Sequence, residues 1–96
     1  MDNLLCLSAH IQRVEALRFT PAGLPVLVLH LAHESWQEEL GERYLARVTL
    51  EAKLMGEEAH RWQHKEDSMV RVEGFLAHKH QRSHKPVLHI QQIHEI

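Results

Sequence analysis

The stretch Thr20–Glu34, TPAGLPVLVLHLAHE, decides the fold. Its first six residues concentrate turn formers, proline presetting φ and glycine supplying the positive φ that a tight reversal needs. The residues that follow alternate, with Leu27, Leu29 and Leu31 on one side and Val26, Val28 and His30 on the other, the two-residue period of a strand. A turn that feeds straight into a strand implies another strand before it. Leu5 to Ile11 supplies it, because Leu5, Leu7, Ala9 and Ile11 alternate with Cys6, Ser8 and His10.

Downstream, Tyr44 to Leu50 reads as a third strand, reached through an acidic turn at Gly41, with Ala46, Val48 and Leu50 inward and Leu45, Arg47 and Thr49 outward. Lys53 to Lys65 changes period. Met55, Ala59 and Trp62 fall at i, i+4 and i+7 while Glu57, Glu58, Arg61 and Lys65 face away, which predicts a short amphipathic helix with Trp62 in the core. A fourth strand, Met69 to Ala77, places Val70, Val72 and Leu76 on one side, and Gly74 within it predicts a bulge or a sharp bend. In a fifth strand, about Val87 to Ile93, Leu88 and Ile90 share a parity that Ile93 breaks, so a further irregularity is expected at Gln91 or Gln92. Three strands, a helix and two strands is the order of an all-β OB-fold, a five-stranded barrel that closes on itself. The whole chain, residues 1–96, reads as one such domain.

Because the second strand is apolar on both faces, Val26 and Val28, together with Leu4 and Cys6, are expected to meet another surface, and a second copy of the chain is the simplest one. A homodimer follows as an expectation. No apolar run approaches the ~20 residues that span a bilayer, and Met1-Asp2-Asn3 lacks the basic region of a secretory signal, so a cytoplasmic protein with no membrane partner is expected.

Several chemistries are excluded by residue type and spacing. Cys6 is the only cysteine, so one chain can form neither an internal disulfide nor a cysteine-based zinc site. Among the ten histidines, His60 and His64 lie four apart, but Ala59-His60-Arg61-Trp62-Gln63-His64 lacks the glutamate of a zinc protease motif. His78, His80 and His84 share their segment with Lys79, Arg82 and Lys85, whose charges oppose a bound cation. No metal or cofactor is expected. Ser8, Ser35, Ser68 and Ser83 sit in no nucleophile elbow, phosphate-cradling glycine loops are absent, and Glu34, Glu38, Glu39 and Glu42 read as a solvated turn rather than a carboxylate pair. The chain is therefore expected not to be an enzyme.

A binding surface remains. An OB-fold carries nucleic acid across its second and third strands, between the loop joining strands one and two and the loop joining strands four and five. Here the first region holds Arg13 and Arg18 and the second holds Lys79, Arg82 and Lys85, with no acid from Lys79 to Lys85 despite a formal net charge of −2. Outward Arg47 can reach phosphate or a base face, and Trp36 and Tyr44 are the nearest aromatic groups for stacking, although Tyr44 shares the parity of inward Ala46 and could equally be core.

Thr20–Pro25, the strand to His33 and the Glu34-Ser35-Trp36-Gln37-Glu38-Glu39 run, together with Val72-Glu73-Gly74-Phe75-Leu76, the basic loop, Val87-Leu88-His89 and Gln92-Ile93, resemble the primosomal replication protein N family over nearly the whole chain. The resemblance implies a homodimeric OB-fold that binds single-stranded DNA and joins the restart helicase, primosomal protein N-prime, with other primosome proteins at stalled forks. It also marks departures. Arg47 and Glu42 stand where the family carries aromatic residues, and the basic loop is about two residues shorter, so DNA binding is expected to be weaker or shifted toward the backbone. A chain reduced in this way could instead serve chiefly as a protein adaptor, using the acidic stretch Glu34 to Glu42.

Overall fold

The computed structural model describes residues 1–96. Its elements are β1 (Leu5–Val14), β2 (Arg18–Phe19), β3 (Pro25–Glu39), β4 (Glu42–Met55), α1 (Glu58–Arg61), β5 (Met69–His78) and β6 (Pro86–Glu95). The sheet order β1-β5-β6-β4-β3-β2 closes on itself through an added β1–β3 pairing, giving a five-stranded barrel with β2 as a short appendix on β3. One pairing, β4 with β6, is parallel, and it joins Glu51–Lys53 to Val87–His89. Closure of this kind removes the free edges that an open sheet would expose.

The alternation read from the sequence fills the barrel. Ile11, Leu27, Leu29, Leu31, Val70, Val72 and Leu88 are essentially inaccessible, and Ala9, Ala52, Leu54, Ile90 and Ile93 join them in one core. Trp62 and Ala59 plug the barrel end as part of that core. The indole donates to Glu58 Oε2 at 3.2 Å and Arg61 donates to Oε1 at 2.7 Å. Those two hydrogen bonds hold the Glu58 carboxyl below its ordinary range.

The two expected irregularities are one feature. Glu73 pairs with Gln92 and Gly74 with Ile90, so Gln91 is the extra residue of a bulge in β6 facing the Glu73–Gly74 step of β5. A Cβ at Gly74 would lie 1.8 Å from the carbonyl oxygen of His89, so only glycine admits this approach.

Two expectations are corrected. The helix expected over Lys53–Lys65 is a single turn, Glu58–Arg61, because Lys53 to Met55 continue β4 and pair with Val28, Leu27 and Val26. Met55, counted on the apolar stripe, lies on that strand and is 43% exposed, and Gly56 at φ +95° ends the strand before the turn begins. Strands two and three are also much longer than read. They continue past the barrel as a two-stranded ribbon whose register runs unbroken from Val26–Met55 to Glu39–Glu42. A two-residue reversal at Leu40 and Gly41, both at positive φ, caps the ribbon, so the acidic stretch is strand rather than loop.

Candidate nucleic-acid interface

Residues paired across antiparallel strands point to the same side, so the β3–β4 register sorts every side chain on the ribbon. The core side carries Leu27, Leu29 and Leu31 and then, beyond the barrel, His33, Ser35 and Gln37 opposite Val48, Ala46 and Tyr44. The other side carries Val28, His30, Ala32, Glu34, Trp36 and Glu38 opposite Lys53, Glu51, Thr49, Arg47, Leu45 and Arg43. Arg18 enters the same outer face beside Val26, and Arg13 enters it beside His30.

Arg13, Arg18, Trp36 and Arg47 therefore share one face, which runs about 34 Å from Val26 to Trp36 at ~3.4 Å per residue. Lys79 and Lys85, from the ends of the β5–β6 loop, reach it through Glu51. One surface hollow is lined by Arg13, His30, Thr49, Glu51 and Lys85, and a neighbouring one by Gln12, Glu34, Arg47 and Thr49. Tyr44 stands apart. It has the core parity, but the barrel has ended at its position, so it is 62% exposed on the reverse of the ribbon. Arg82 lies exposed in the β5–β6 loop, where its backbone N–H donates to His80 Nδ1 at 3.4 Å. His78 and His84 pack edge to face at 5.2 Å across the same loop.

Four cations of the face, Arg13, Arg47, Lys79 and Lys85, are held by acids. Arg47 Nε donates to Glu34 Oε2 at 2.9 Å, and Arg13 lies 3.7 Å from Glu15. His30 Nε2 lies 2.6 Å from Glu15 Oε2 and 2.9 Å from Arg13 Nη2; a single ring nitrogen donates to the carboxylate or accepts from the guanidinium, one at a time. Lys79 and Lys85 both donate to Oε1 of Glu51, at 3.2 and 3.1 Å. Burial alone would raise the Glu51 pKa, but the hydrogen bonds and charges of Lys85 and Lys79 outweigh it and hold the carboxyl below its ordinary range. Arg43 lies over the indole of Trp36, 4.4 Å from the ring centre, so one face of the exposed aromatic already carries a cation.

Sequence reasoning missed Arg43 and Glu51. Both follow from extending the third strand in each direction, since Arg43, Arg47, Thr49 and Glu51 share one parity. Val26 and Val28, assigned to an interface because both faces of their strand were apolar, are 4% and 5% exposed within the single chain, so no second copy is needed to bury them. Leu4 and Cys6 do remain exposed, Cys6 with its thiol 3.8 Å from Glu73 Oε1. No group of three histidine, cysteine or acidic side chains is placed to hold a metal ion. No helix is long and apolar enough to cross a membrane.

A barrel of this topology, with a single helical turn between its third and fourth barrel strands and a long polar face on β3 and β4, defines an OB-fold. Residues 3–92 match the family model described as another single-strand binding protein family. The chain is 48% identical over 94 residues to replication restart protein PriB of Neisseria meningitidis serogroup B, covering 98% of this chain and 94% of that protein. It is 39% identical over 95 residues to the Bordetella pertussis protein of the same name, covering 98% and 89%. The solved PriB structure from Ralstonia solanacearum superposes with a TM-score of 0.88 at 27% identity, covering 99% of this chain and 98% of that one. The chain belongs to the PriB branch of this single-strand binding family, the family its sequence resembles.

Proposed function

We propose that this protein binds single-stranded DNA, without chemistry, along the outer face of β3 and β4 and serves in cytoplasmic replication restart. The observation that carries the reading is the convergence of Arg13, Arg47, Lys79 and Lys85, with Trp36, on that one face. Phosphates would be met by these cations and a base by the free side of Trp36, an interaction worth about 1–3 kcal/mol per base. Family membership supports the restart role, and with it partnership with the restart helicase, primosomal protein N-prime; a homodimer would pack through the exposed Leu4, just before β1, and Cys6.

Salt titration tests the reading. Binding to a labelled oligothymidylate should weaken with a log–log slope near −0.7 for each phosphate contacted, and the same-length duplex should bind less tightly. The Lys79→Ala, Arg82→Ala, Lys85→Ala triple variant, confirmed folded, should bind several-fold more weakly than the parent. Single-strand affinity that ignores salt, or a triple variant equal to the parent, would sink the proposal.

One observation favours a second reading, a protein adaptor. Glu38, Glu39 and Glu42 form no ion pair, and Leu40 between them is 98% exposed at the tip of a ribbon that projects beyond the barrel. An adaptor acting through this tip would keep helicase binding after the basic residues are removed.

A further inference from the structure

Glu51 is the one buried charged residue of the chain, its side chain 6% exposed, and it lies on the proposed DNA face under Lys79 and Lys85. The dependence runs one way. The lysine side chains are 47% and 54% exposed and keep their hydration, whereas the carboxylate has little contact with water beyond the two ammoniums that serve it. Glu51 is also not what shapes the loop. The Lys79 N–H donates to the Lys85 carbonyl at 2.9 Å and His78 pairs with Pro86, so the backbone closes the loop base by itself.

What Glu51 does control is where the two charges stand and how many of them count. Both ammoniums contact one oxygen, at 3.2 and 3.1 Å, so they lie no more than 6.3 Å apart, the sum of those contacts. Within that limit both can reach the oxygens of a single phosphate. The carboxylate beneath them cancels one of the two positive charges. Each ammonium has three donors and spends one on Glu51, leaving the others for a ligand on the solvent side.

We propose that Glu51 is a positioning residue that gathers Lys79 and Lys85 into a clamp for one backbone phosphate, so that two lysines act with the charge of one. The inference rests on the single-strand-binding reading above and specifies its stoichiometry. Without the acid the two ammoniums repel, separate along the loop and neutralise a phosphate each. A protein with this device has lower affinity and a shallower salt response than its count of basic residues would indicate.

The test is a four-protein cycle, with binding of labelled oligothymidylate measured by anisotropy from about 0.05 to 0.3 M salt. Glu51→Gln retains an acceptor oxygen for one lysine and removes the charge. It should steepen the log–log slope by about 0.7 and tighten binding about fivefold near 0.1 M salt, one added phosphate contact. Lys85→Met, which leaves Lys79 paired with Glu51, should flatten the slope by about 0.7. The Glu51→Gln, Lys85→Met double variant should return to the parental slope, since one free lysine then meets one phosphate. A merely structural carboxylate predicts otherwise: Glu51→Gln with the parental slope and a double variant equal to Lys85→Met, and either result overturns the proposal. Thermal melts of all four confirm folding. If Glu51→Gln melts early, all four proteins are compared at a temperature below its melt, and the same two results decide. A parental protein with no salt-dependent single-strand binding overturns the underlying functional reading, whereas normal parental binding with an inert Glu51 overturns this inference alone.

Discussion

Gly74→Ala should cripple the barrel, and the size of the effect can be worked from one distance. The new methyl carbon would sit 1.8 Å from the His89 carbonyl oxygen and 2.8 Å from its carbon, where ordinary contact begins near 3.4 Å. Neither atom belongs to a flexible side chain, so the β6 backbone must retreat by about 1.6 Å, the difference between the two oxygen distances. Overpacking of a tight interior costs about 1–3 kcal/mol, and each β5–β6 hydrogen bond lost in the retreat adds about 1 kcal/mol. A total of about 3–4 kcal/mol follows, and at about 4–8 °C per kcal/mol for a domain of this size the melting temperature should fall by about 12–32 °C. The displaced residue pairs with Lys53 on β4, so the loss reaches the parallel seam that closes the barrel. Gly23→Ala is the control. Gly23 has φ +85° and nothing within 4 Å of the place a methyl would take, so only the backbone preference, about 1 kcal/mol, is at stake. Circular dichroism melts and urea titrations of both variants read the difference. A Gly74→Ala protein melting within about 5 °C of the parent would show that β6 is not pressed against this residue.

Two further predictions concern stability. Leu40 holds φ +53° at the ribbon tip beside Gly41 at φ +77°, a conformation that favours asparagine and disfavours leucine, so Leu40→Asn should stabilise the fold by about 0.5–1 kcal/mol in a urea titration. His89, stacked on Phe75 at 4.8 Å, has its pKa lowered below 6.5 by burial and by the charge of Lys53. The unfolded chain therefore binds a proton at higher pH than the folded one, so His89 contributes stability that is present above pH 6.5 and is lost as pH falls from there toward its folded value. Urea midpoints measured from pH 8 to 5 should fall less steeply in His89→Gln, and identical profiles would contradict the assignment.

The parts of the fold that were legible in the sequence are those where one local rule acts alone. Alternation at Leu27, Leu29 and Leu31 and at Val70 and Val72 reports burial directly, because the barrel interior is apolar along its whole length. Gly74 and the broken parity at Ile93 announced a bulge from both sides of one strand pair. The helix was misread for a reason of competition: Met55 satisfies the helical spacing to Ala59 and Trp62, but the ladder to β3 claims Lys53 to Met55 first. The ribbon was cut short because four glutamates resemble a solvated turn, and polar strands paired only to each other carry no apolar period to mark them. That error hid Arg43, and ending the third strand at Leu50 ahead of the expected helix hid Glu51.

Acidic partners on the outer face tie the charge balance to the mode of binding. Arg47 is matched by Glu34, Arg13 by Glu15 and the lysine pair by the single charge of Glu51, so acids offset part of the positive charge on the face. A formal charge of −2 for the chain gives no long-range attraction for a polyanion either. Single-stranded DNA would then be held by contacts made after arrival. At Arg13 and Arg47 a phosphate would compete with the carboxylate that already serves the cation, which lowers the gain per contact. The same logic applies to Trp36, where Arg43 occupies one side of the ring and a base can take only the other. A surface built in this way would exchange a bound single strand for internal partners, which favours release.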